Sequence, residues 1–462
     1  MDKKNSWLKY SGHQLQELHR ICESYKEFLD RGKTERECIQ EILSLAGKAG
    51  FKDLDQVISD HEDLCPGDKV YRVFMNKTIV LYILGKNSPE EGMRILGAHI
   101  DSPRLDLKQV PLYEDTEMAY LDTHYYGGLK KFLWVTIPLA LHGMVFKKDG
   151  SAVCVSIGEK ETDPVFCITD LLIHLSSEQM EKKTRVAIEG ENLDILIGSR
   201  PLEQEEKDAV KANILQILKE QYDIEEDDFL SAELEVVPAA KARDCGLDRS
   251  MIASYGQDDR ACVYTSLRAF LDQTEVPEKT LCCLLVDKEE IGSKGATGMH
   301  SRFFENSTAE LMNCMGSYSE LTLRRCLANS SMLSCDVSAA FDPLYPKVYD
   351  KRNSAYFGHG LCFNKYTGAR GKHYSNDANA EYVGQIRRIM DDADVTFQTC
   401  ELGKIDAGGG GTIAYISARY GMNVIDSGVP VLNMHAPMEI SSKADVYEAY
   451  RGYKAFLSAV AG

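Results

Sequence analysis

The segment TLCCLLVDKEEIGS, Thr280–Ser293, contains the pattern that decides the fold. Its first half, TLCCLLV, is a continuous run of apolar and β-branched residues, which is typical of a strand buried on both faces of a sheet. Asp287, Lys288, Glu289 and Glu290 follow this run directly. Burying a carboxylate is costly unless a partner compensates for its lost hydration. The segment therefore predicts a covered strand, and it raises the question of what accommodates its two adjacent glutamates.

Strands and helices alternate regularly through the second half of the chain. The predicted helices are 261–271, 303–314, 378–391 and 412–420, and the predicted strands are 281–286, 331–337 and 395–399. Alternation of this kind is typical of an α/β sheet that carries helices on both faces. We therefore predict an α/β fold with the strand of the opening segment inside its sheet.

The pattern of predicted helices and strands changes between residues 107 and 249. Before residue 107, helices are predicted over 15–29 and from a capping box at Thr34 to about Leu45. Strands are predicted over 78–84 and 93–98, with a hairpin turn at 87–92. Within it, short strand-like pieces such as Phe132–Leu141 alternate with loops and with an acidic helical stretch, Pro201–Asp228. We therefore predict one domain formed by 1–106 and 250–462, with a second domain, 107–249, inserted into it.

The composition is that of an acidic globular protein. A formal net charge of −18 over 462 residues argues against nucleic acid or an anionic membrane as a partner. The first residues, MDKKNSWLKYSGHQ, contain no apolar core of a signal peptide, and no run approaches the ~18 apolar residues of a membrane span. The 14 cysteines are scattered and form no CxxC pair, so buried free thiols in a reducing cytoplasm are expected.

Acidic residues and histidines follow several of the predicted strands. They are His99 and Asp101 after 93–98, Asp258 and Asp259 at the start of a helix, Glu289 and Glu290 after 281–286, Asp336 after 331–335, and His435 after 428–434. Open α/β sheets bind ligands at the carboxyl ends of their strands. We therefore expect these side chains to lie close together.

The residue types in this set suit a pair of zinc ions. Zinc takes imidazole nitrogen and carboxylate oxygen, and two ions a few ångströms apart need one carboxylate that bridges them. Taken singly, each residue has an ordinary structural interpretation: a hydrogen-bonded histidine, an Asp that caps a helix, or two solvated glutamates in a loop. Their coincidence at the strand ends of one domain favours a dinuclear metal site, with a further acid beside it as general base.

The motifs resemble those of a known enzyme family. They are GAHIDSPRLDLK (Gly97–Lys108), QDDR (Gln257–Arg260), DKEEIGS (Asp287–Ser293), SCDVSAAFDP (Ser334–Pro343) and NMHAPMEI (Asn433–Ile440). In this order they resemble the aspartyl aminopeptidase family of cocatalytic dizinc exopeptidases, which includes vacuolar aminopeptidase I. The resemblance implies a mixed-sheet α/β/α catalytic domain with an inserted β-rich dimerisation domain.

The resemblance also implies a role for each residue of the set. His99 and Asp336 would bind one zinc ion. Glu290 and His435 would bind the other, with Asp258 as the bridge and Asp259 as the alternative. Asp101 would orient His99, and Glu289 would act as general base on the bridging water. Two zinc ions per subunit are expected, with manganese or cobalt as possible substitutes.

The same resemblance implies a homo-oligomer. Family members form tetrahedral dodecamers in which the inserted domain reaches the active site of a neighbouring subunit. ITDLLIHLSS, Ile168–Ser177, resembles the segment that offers a histidine to that neighbour. His174 would then stabilise the tetrahedral intermediate. Without the resemblance, His174 is interpreted as a packed residue on a helix face.

The expected substrates are peptides with a free N-terminus, with Asp or Glu as their first residue. Such a side chain requires a cation, and GLCFNKYTGARGK, 360–372, offers Lys365, Arg370 and Lys372. Lys365 lies one position from the register of the family's acid-binding lysine, and a solvated loop is the alternative. Gly408–Gly411 are interpreted as a loop beside the substrate terminus. The sequence leaves other functions open: an aminopeptidase that prefers apolar first residues, a related dizinc carboxypeptidase or deacylase, and a non-catalytic assembly protein of the same fold.

Overall fold

The structure is a computed structural model that describes residues 5–368 and 371–459. The strands are β1 (Lys52–Asp53), β2 (Lys69–Phe74), β3 (Thr78–Ile83), β4 (Arg94–His99), β5 (Arg104–Asp115), β6 (Met118–Tyr126), β7 (Leu139–Phe146), β8 (Ala152–Ile157), β9 (Ile195–Gly198), β10 (Ala232–Pro238), β11 (Arg243–Cys245), β12 (Met251–Ser254), β13 (Leu281–Val286), β14 (Ser331–Cys335), β15 (Ser338–Ala339), β16 (Leu361–Asn364), β17 (Phe397–Thr399), β18 (Asn423–Gly428), β19 (Pro430–Leu432) and β20 (Glu439–Ser442).

The α-helices are α1 (Gly12–Arg31), α2 (Glu35–Lys48), α3 (Leu54–Ser59), α4 (Ser177–Met180), α5 (Thr184–Ala187), α6 (Ala209–Tyr222), α7 (Gln257–Leu271), α8 (Phe303–Cys314), α9 (Glu320–Ala328), α10 (Ala380–Asp392), α11 (Ala414–Ser417) and α12 (Lys443–Ser458). The predicted capping box is present at the start of α2, where the Thr34 hydroxyl accepts from the backbone of Glu37. No helix among the described residues is long and apolar enough to cross a membrane.

The chain divides into two compact units. The first contains 1–101, 242–434 and 439–462, and the second contains 102–241 and the four-residue loop 435–438. The boundaries between the units, after residues 101 and 241, lie a few residues before the predicted boundaries at 107 and 249. The second unit carries a six-stranded antiparallel sheet in the order β8-β7-β10-β5-β6-β9.

The first unit is built on a nine-stranded mixed sheet. Its order is β1-β2-β3-β13-β4-β14-β18-β16-β17. The four central strands β13, β4, β14 and β18 are parallel, whereas β3 and β16 run antiparallel to their central neighbours. The carboxyl ends of the four central strands therefore lie at one edge of the sheet, which is where α/β proteins bind ligands.

The strand of the opening segment, β13, is buried on both faces. Leu281, Cys283 and Leu285 belong to a core that includes residues of α1, α2, α7 and α12. Cys282 and Leu284 belong to a second core with residues of α3, α8 and α9. Alternate side chains of a strand point to opposite faces, so helices cover the sheet on both sides. The predicted mixed-sheet α/β/α fold is confirmed.

Two local predictions were wrong. Residues 87–92 do not join a hairpin, because β13 lies between β3 and β4 and pairs with both. The strand predicted at Phe132–Leu141 begins only at Leu139, directly after Pro138, which has no amide hydrogen to donate to a neighbouring strand. A five-stranded sheet, β11-β12-β20-β19-β15, was not predicted.

Candidate metal and catalytic site

The residues predicted from the sequence meet at the carboxyl edge of the nine-stranded sheet. His99 is the last residue of β4, and Asp336 directly follows β14. Glu289 and Glu290 form a short 3-10 helix just after β13, and Asp258 lies at the start of α7. Because β13, β4 and β14 are parallel neighbours, their ends deliver these side chains to one place.

The imidazole of His99 is buried between acidic groups, with 2% of its surface exposed. Its Nδ1 lies 3.0 Å from the backbone oxygen of Asp101 and 3.2 Å from that residue's Oδ1. Its Nε2 lies 3.3 Å from Oδ1 of Asp258, 3.9 Å from Oε2 of Glu289 and 4.0 Å from Oδ1 of Asp336. One ring nitrogen is thus engaged by Asp101, and the other is directed at three carboxylates.

The carboxylate of Asp101 also binds the turn after β13. Its Oδ1 accepts from the amide of Glu289 and its Oδ2 from the amide of Glu290, each at 3.1 Å. Asp101 is completely buried, so these charge-assisted hydrogen bonds compensate for its lost hydration. A single side chain therefore positions His99 and both glutamates.

The turn that carries the glutamates is tight. Lys288 and Gly292, which flank the 3-10 helix, have positive φ angles of +68° and +94°. Glycine adopts such an angle without steric cost, whereas Lys288 adopts it as a non-glycine residue. The backbone reverses on both sides of Glu289 and Glu290, which keeps their amides within reach of Asp101.

The neighbouring acids Asp258 and Asp259 make different contacts. Oδ2 of Asp259 accepts from the amide of His99 at 3.4 Å, and its Oδ1 accepts from the amide of Val337 at 3.2 Å. Asp259 thus ties the end of β4 to the segment after β14. The amide of Asp258 donates to Oε2 of Glu439 at 3.0 Å, and its own carboxylate faces His99.

Two groups of side chains have the spacing of metal ligands. One contains His99, Asp258 and Asp336, and the other contains Asp258, Glu290 and His435; within each group the ligand atoms lie within 4.8 Å of one another. His435 lies in the loop between the paired strands β19 and β20, which belong to the first unit and anchor the loop at both ends. Asp258 is common to both groups, whereas Glu289 belongs to neither.

The donor set fits zinc. Ligands of one tetrahedral zinc ion, bound at about 2.0–2.2 Å, lie roughly 3.5 Å from each other, so small side-chain movements would complete each group. Burial lowers the pKa of His99, but hydrogen bonds with Asp101 and Asp258 outweigh it and raise this pKa well above its ordinary value. Burial and the charge of Asp259 raise the pKa of Asp336. Such crowding of acids is relieved by a bound cation.

Lys365 follows β16, which runs antiparallel to β18, so the chain runs there toward the amino ends of β4 and β14. The predicted role of Lys365 in substrate binding stays a prediction. Its ammonium pairs with Asp377, which also binds Lys372 at 2.7 Å. Arg370 lies outside the described residues.

His174 lies on an exposed 3-10 turn, Ile173–Leu175, of the second unit. The apolar residues Leu171, Leu172, Ile173 and Leu175 around it are each more than half exposed. Exposed apolar segments of this kind are typical of interaction surfaces. The predicted role of His174 concerns a second subunit and stays a prediction.

The chain is similar to a known protein family over most of its length. The model of the family described as aminopeptidase I zinc metalloprotease (M18) matches residues 28–457. The chain belongs to the M18 aminopeptidase family. The resemblance seen in the motifs is thereby confirmed, and the protein is a zinc metallo-aminopeptidase.

Relatives of this M18 enzyme match over almost its whole length. A probable M18 family aminopeptidase 1 from Clostridium acetobutylicum is 58% identical over 456 residues, which cover 98% of each chain. The crystal structure of an M18 aminopeptidase from Thermotoga maritima has a TM-score of 0.94 at 44% identity, with 99% of both chains covered. The S. cerevisiae mApe1 dodecamer has a TM-score of 0.76 at 20% identity, covering 94% of this chain and 96% of its own, a likeness of fold alone.

Glu439 was not among the predicted site residues, although it is buried and accepts a hydrogen bond from the amide of Asp258. Its only signal was its place in the NMHAPMEI motif, four residues after His435. The two contacts of Asp259 were also not foreseen, because both partners are backbone amides, which the sequence does not distinguish.

We predict that Asp101→Asn weakens zinc binding about 10–100-fold, because an amide supplies only one acceptor for two backbone donors and no charge for His99. Chelator competition with the zinc-loaded enzyme measures this affinity. Asp55→Asn, which changes an exposed partner of Arg72, is the matched control and should leave the affinity unchanged. Equal zinc affinity of Asp101→Asn and the parent would contradict the role of Asp101.

Proposed function

We propose that this M18 enzyme removes the N-terminal residue of peptides with two zinc ions and Glu289 as general base. The observation that carries the proposal is that Asp258 belongs to both candidate ligand groups. A shared carboxylate is what a two-ion site requires. The candidate ligands are His99 and Asp336 for one ion, Glu290 and His435 for the other, and Asp258 for both.

Zinc ions, when bound there, polarise the scissile carbonyl and lower the pKa of the attacking water. The carboxylate of Glu289 lies beside the ligands but in neither group, with its Oε2 3.9 Å from Nε2 of His99, and it would accept the proton of that water. The same carboxyl group then protonates the leaving amine nitrogen, which completes hydrolysis. Asp101 holds the amide of Glu289 and thereby fixes the base relative to His99.

We expect Glu289→Gln to retain zinc and to lose about 10²–10⁴-fold in kcat, because a neutral amide cannot accept the proton. The assay compares peptides that have free N-termini with the same peptides after acetylation, and zinc content is measured in parallel. Glu278→Gln, at an exposed residue paired with Lys86, is the control.

Two results would count against this proposal. Cleavage of acetylated peptides would exclude an aminopeptidase and favour a deacylase or carboxypeptidase with the same metal site. A normal kcat for Glu289→Gln at full zinc content would assign the general base to another group.

A preference for Asp or Glu as the first residue of the substrate is the finer prediction, and it depends on Lys365. Asp377 already neutralises this lysine, so a substrate carboxylate would have to compete with Asp377 for the ammonium. The competition favours a second candidate, an aminopeptidase that accepts an uncharged first residue.

If Lys365 binds an acidic first residue, Lys365→Ala lowers kcat/KM for an N-terminal Asp substrate about 10–100-fold relative to a Leu substrate. The loss of a charge-assisted hydrogen bond is the physical reason. Lys372→Ala is the matched control, since Lys372 shares Asp377. An unchanged ratio of Asp to Leu hydrolysis would remove Lys365 from substrate recognition.

Self-assembly is part of the proposal. The dodecamer of S. cerevisiae mApe1 and the exposed apolar residues near His174 support a homo-oligomer in which 107–249 forms the dimerisation domain. A dodecamer, with His174 reaching the active site of a neighbouring subunit, is the assembly that we propose. A cytoplasmic location stays a prediction from composition.

A further inference from the structure

Tyr415, on α11, lies near the turn that carries Glu289 and Glu290, and the sequence did not single it out. Its hydroxyl is 3.2 Å from Nε2 of His300, and the two rings pack edge to face with centroids 6.0 Å apart. The opposite edge of the imidazole, Nδ1, faces the guanidinium of Arg419 at 3.5 Å. The hydroxyl end of Tyr415 is therefore anchored, which fixes the position of its ring.

A hydrogen bond and an electrostatic effect relate this ring to the turn of Glu289. The amide of His300 donates to the backbone oxygen of Ser293 at 3.1 Å, so His300 is attached to the turn that carries the glutamates. Burial, followed by the charge of Glu289, raises the pKa of Tyr415. The anchored ring thus lies near the turn that carries the proposed general base.

A second tyrosine extends this surface. The ring of Tyr374 packs edge to face against Tyr415 with centroids 6.0 Å apart, and Tyr374 is 74% exposed. A side chain on Gly411 would lie 3.6 Å from Cβ of Tyr374 and 3.7 Å from Cε1 of Tyr415. Glycine at 411, the last of the four consecutive glycines, therefore leaves uncovered the Cβ of Tyr374 and the Cε1 edge of the Tyr415 ring.

We propose that Tyr374 and Tyr415, with Gly411 beside them, form the wall that receives an apolar or aromatic side chain of the substrate's first residue. The inference rests on the proposed aminopeptidase function, because that function puts the first residue beside Glu289. Ring faces and edges offer apolar area to such a side chain and stack favourably with aromatic groups. The rings supply no charge for Asp or Glu, and Arg419 lies beyond the imidazole.

The test measures kcat/KM of the zinc-loaded enzyme for Phe, Leu, Ala and Asp 4-nitroanilides. The parent is expected to prefer Phe or Leu over Asp by at least about tenfold, and Tyr415→Ala to lower the ratio of Phe to Ala hydrolysis about tenfold. Gly411→Ala should lower the same ratio, since its methyl group would make ordinary contact with Cβ of Tyr374 and with the ring of Tyr415 and narrow the site. Gly384→Ala is the matched control, because no atom lies within 4 Å of its added methyl group.

Calorimetric titration with the free amino acids Phe and Asp gives a readout without turnover. Weaker binding of Phe to Tyr415→Ala than to the parent, with zinc content unchanged, supports the proposal. Preference of the parent for Asp, or Phe-to-Ala ratios that neither Tyr415→Ala nor Gly411→Ala changes, would overturn it while leaving an aminopeptidase. Absence of hydrolysis of every free N-terminal substrate would instead defeat the proposed function, and this inference with it.

Discussion

The buried carboxylate of Asp101 is the group on which the geometry of the site depends. It contacts Nδ1 of His99 and accepts from the amides of Glu289 and Glu290, so it joins the ends of two neighbouring parallel strands. A carboxylate without exposure is tolerated only when its oxygens are hydrogen-bonded, and all of these partners are donors. The contacts that compensate for the burial of the Asp101 carboxylate are therefore the same contacts that arrange the site.

This arrangement explains why two glutamates follow a strand buried on both faces. Their amides are held by one carboxylate, and their side chains separate: Glu290 joins Asp258 and His435, whereas Glu289 stays beside the ligand groups. A metal ion compensates for lost hydration of a ligand carboxylate, and a base must keep its oxygen free for a proton. Adjacent residues in the sequence thus suit two different tasks.

The parts of the fold that local patterns determine could be predicted. The apolar run of β13 and the capping box at Thr34 are both local, and the strand-end acids follow from the rule for α/β sheets. The hairpin at 87–92 failed because long-range pairing inserts β13 between the two strands. The direction of β16, the pairing of Lys365 with Asp377, and the contacts of Glu439 depend on tertiary structure and leave no local pattern.

The zinc content of the active enzyme tests the central claim most directly. The purified, catalytically active protein is freed of loosely bound metal by gel filtration, and zinc per chain is measured by inductively coupled plasma mass spectrometry. A shared Asp258 between two ligand groups predicts two zinc ions per chain. A fully active enzyme that holds a single ion per chain would contradict the two-ion account.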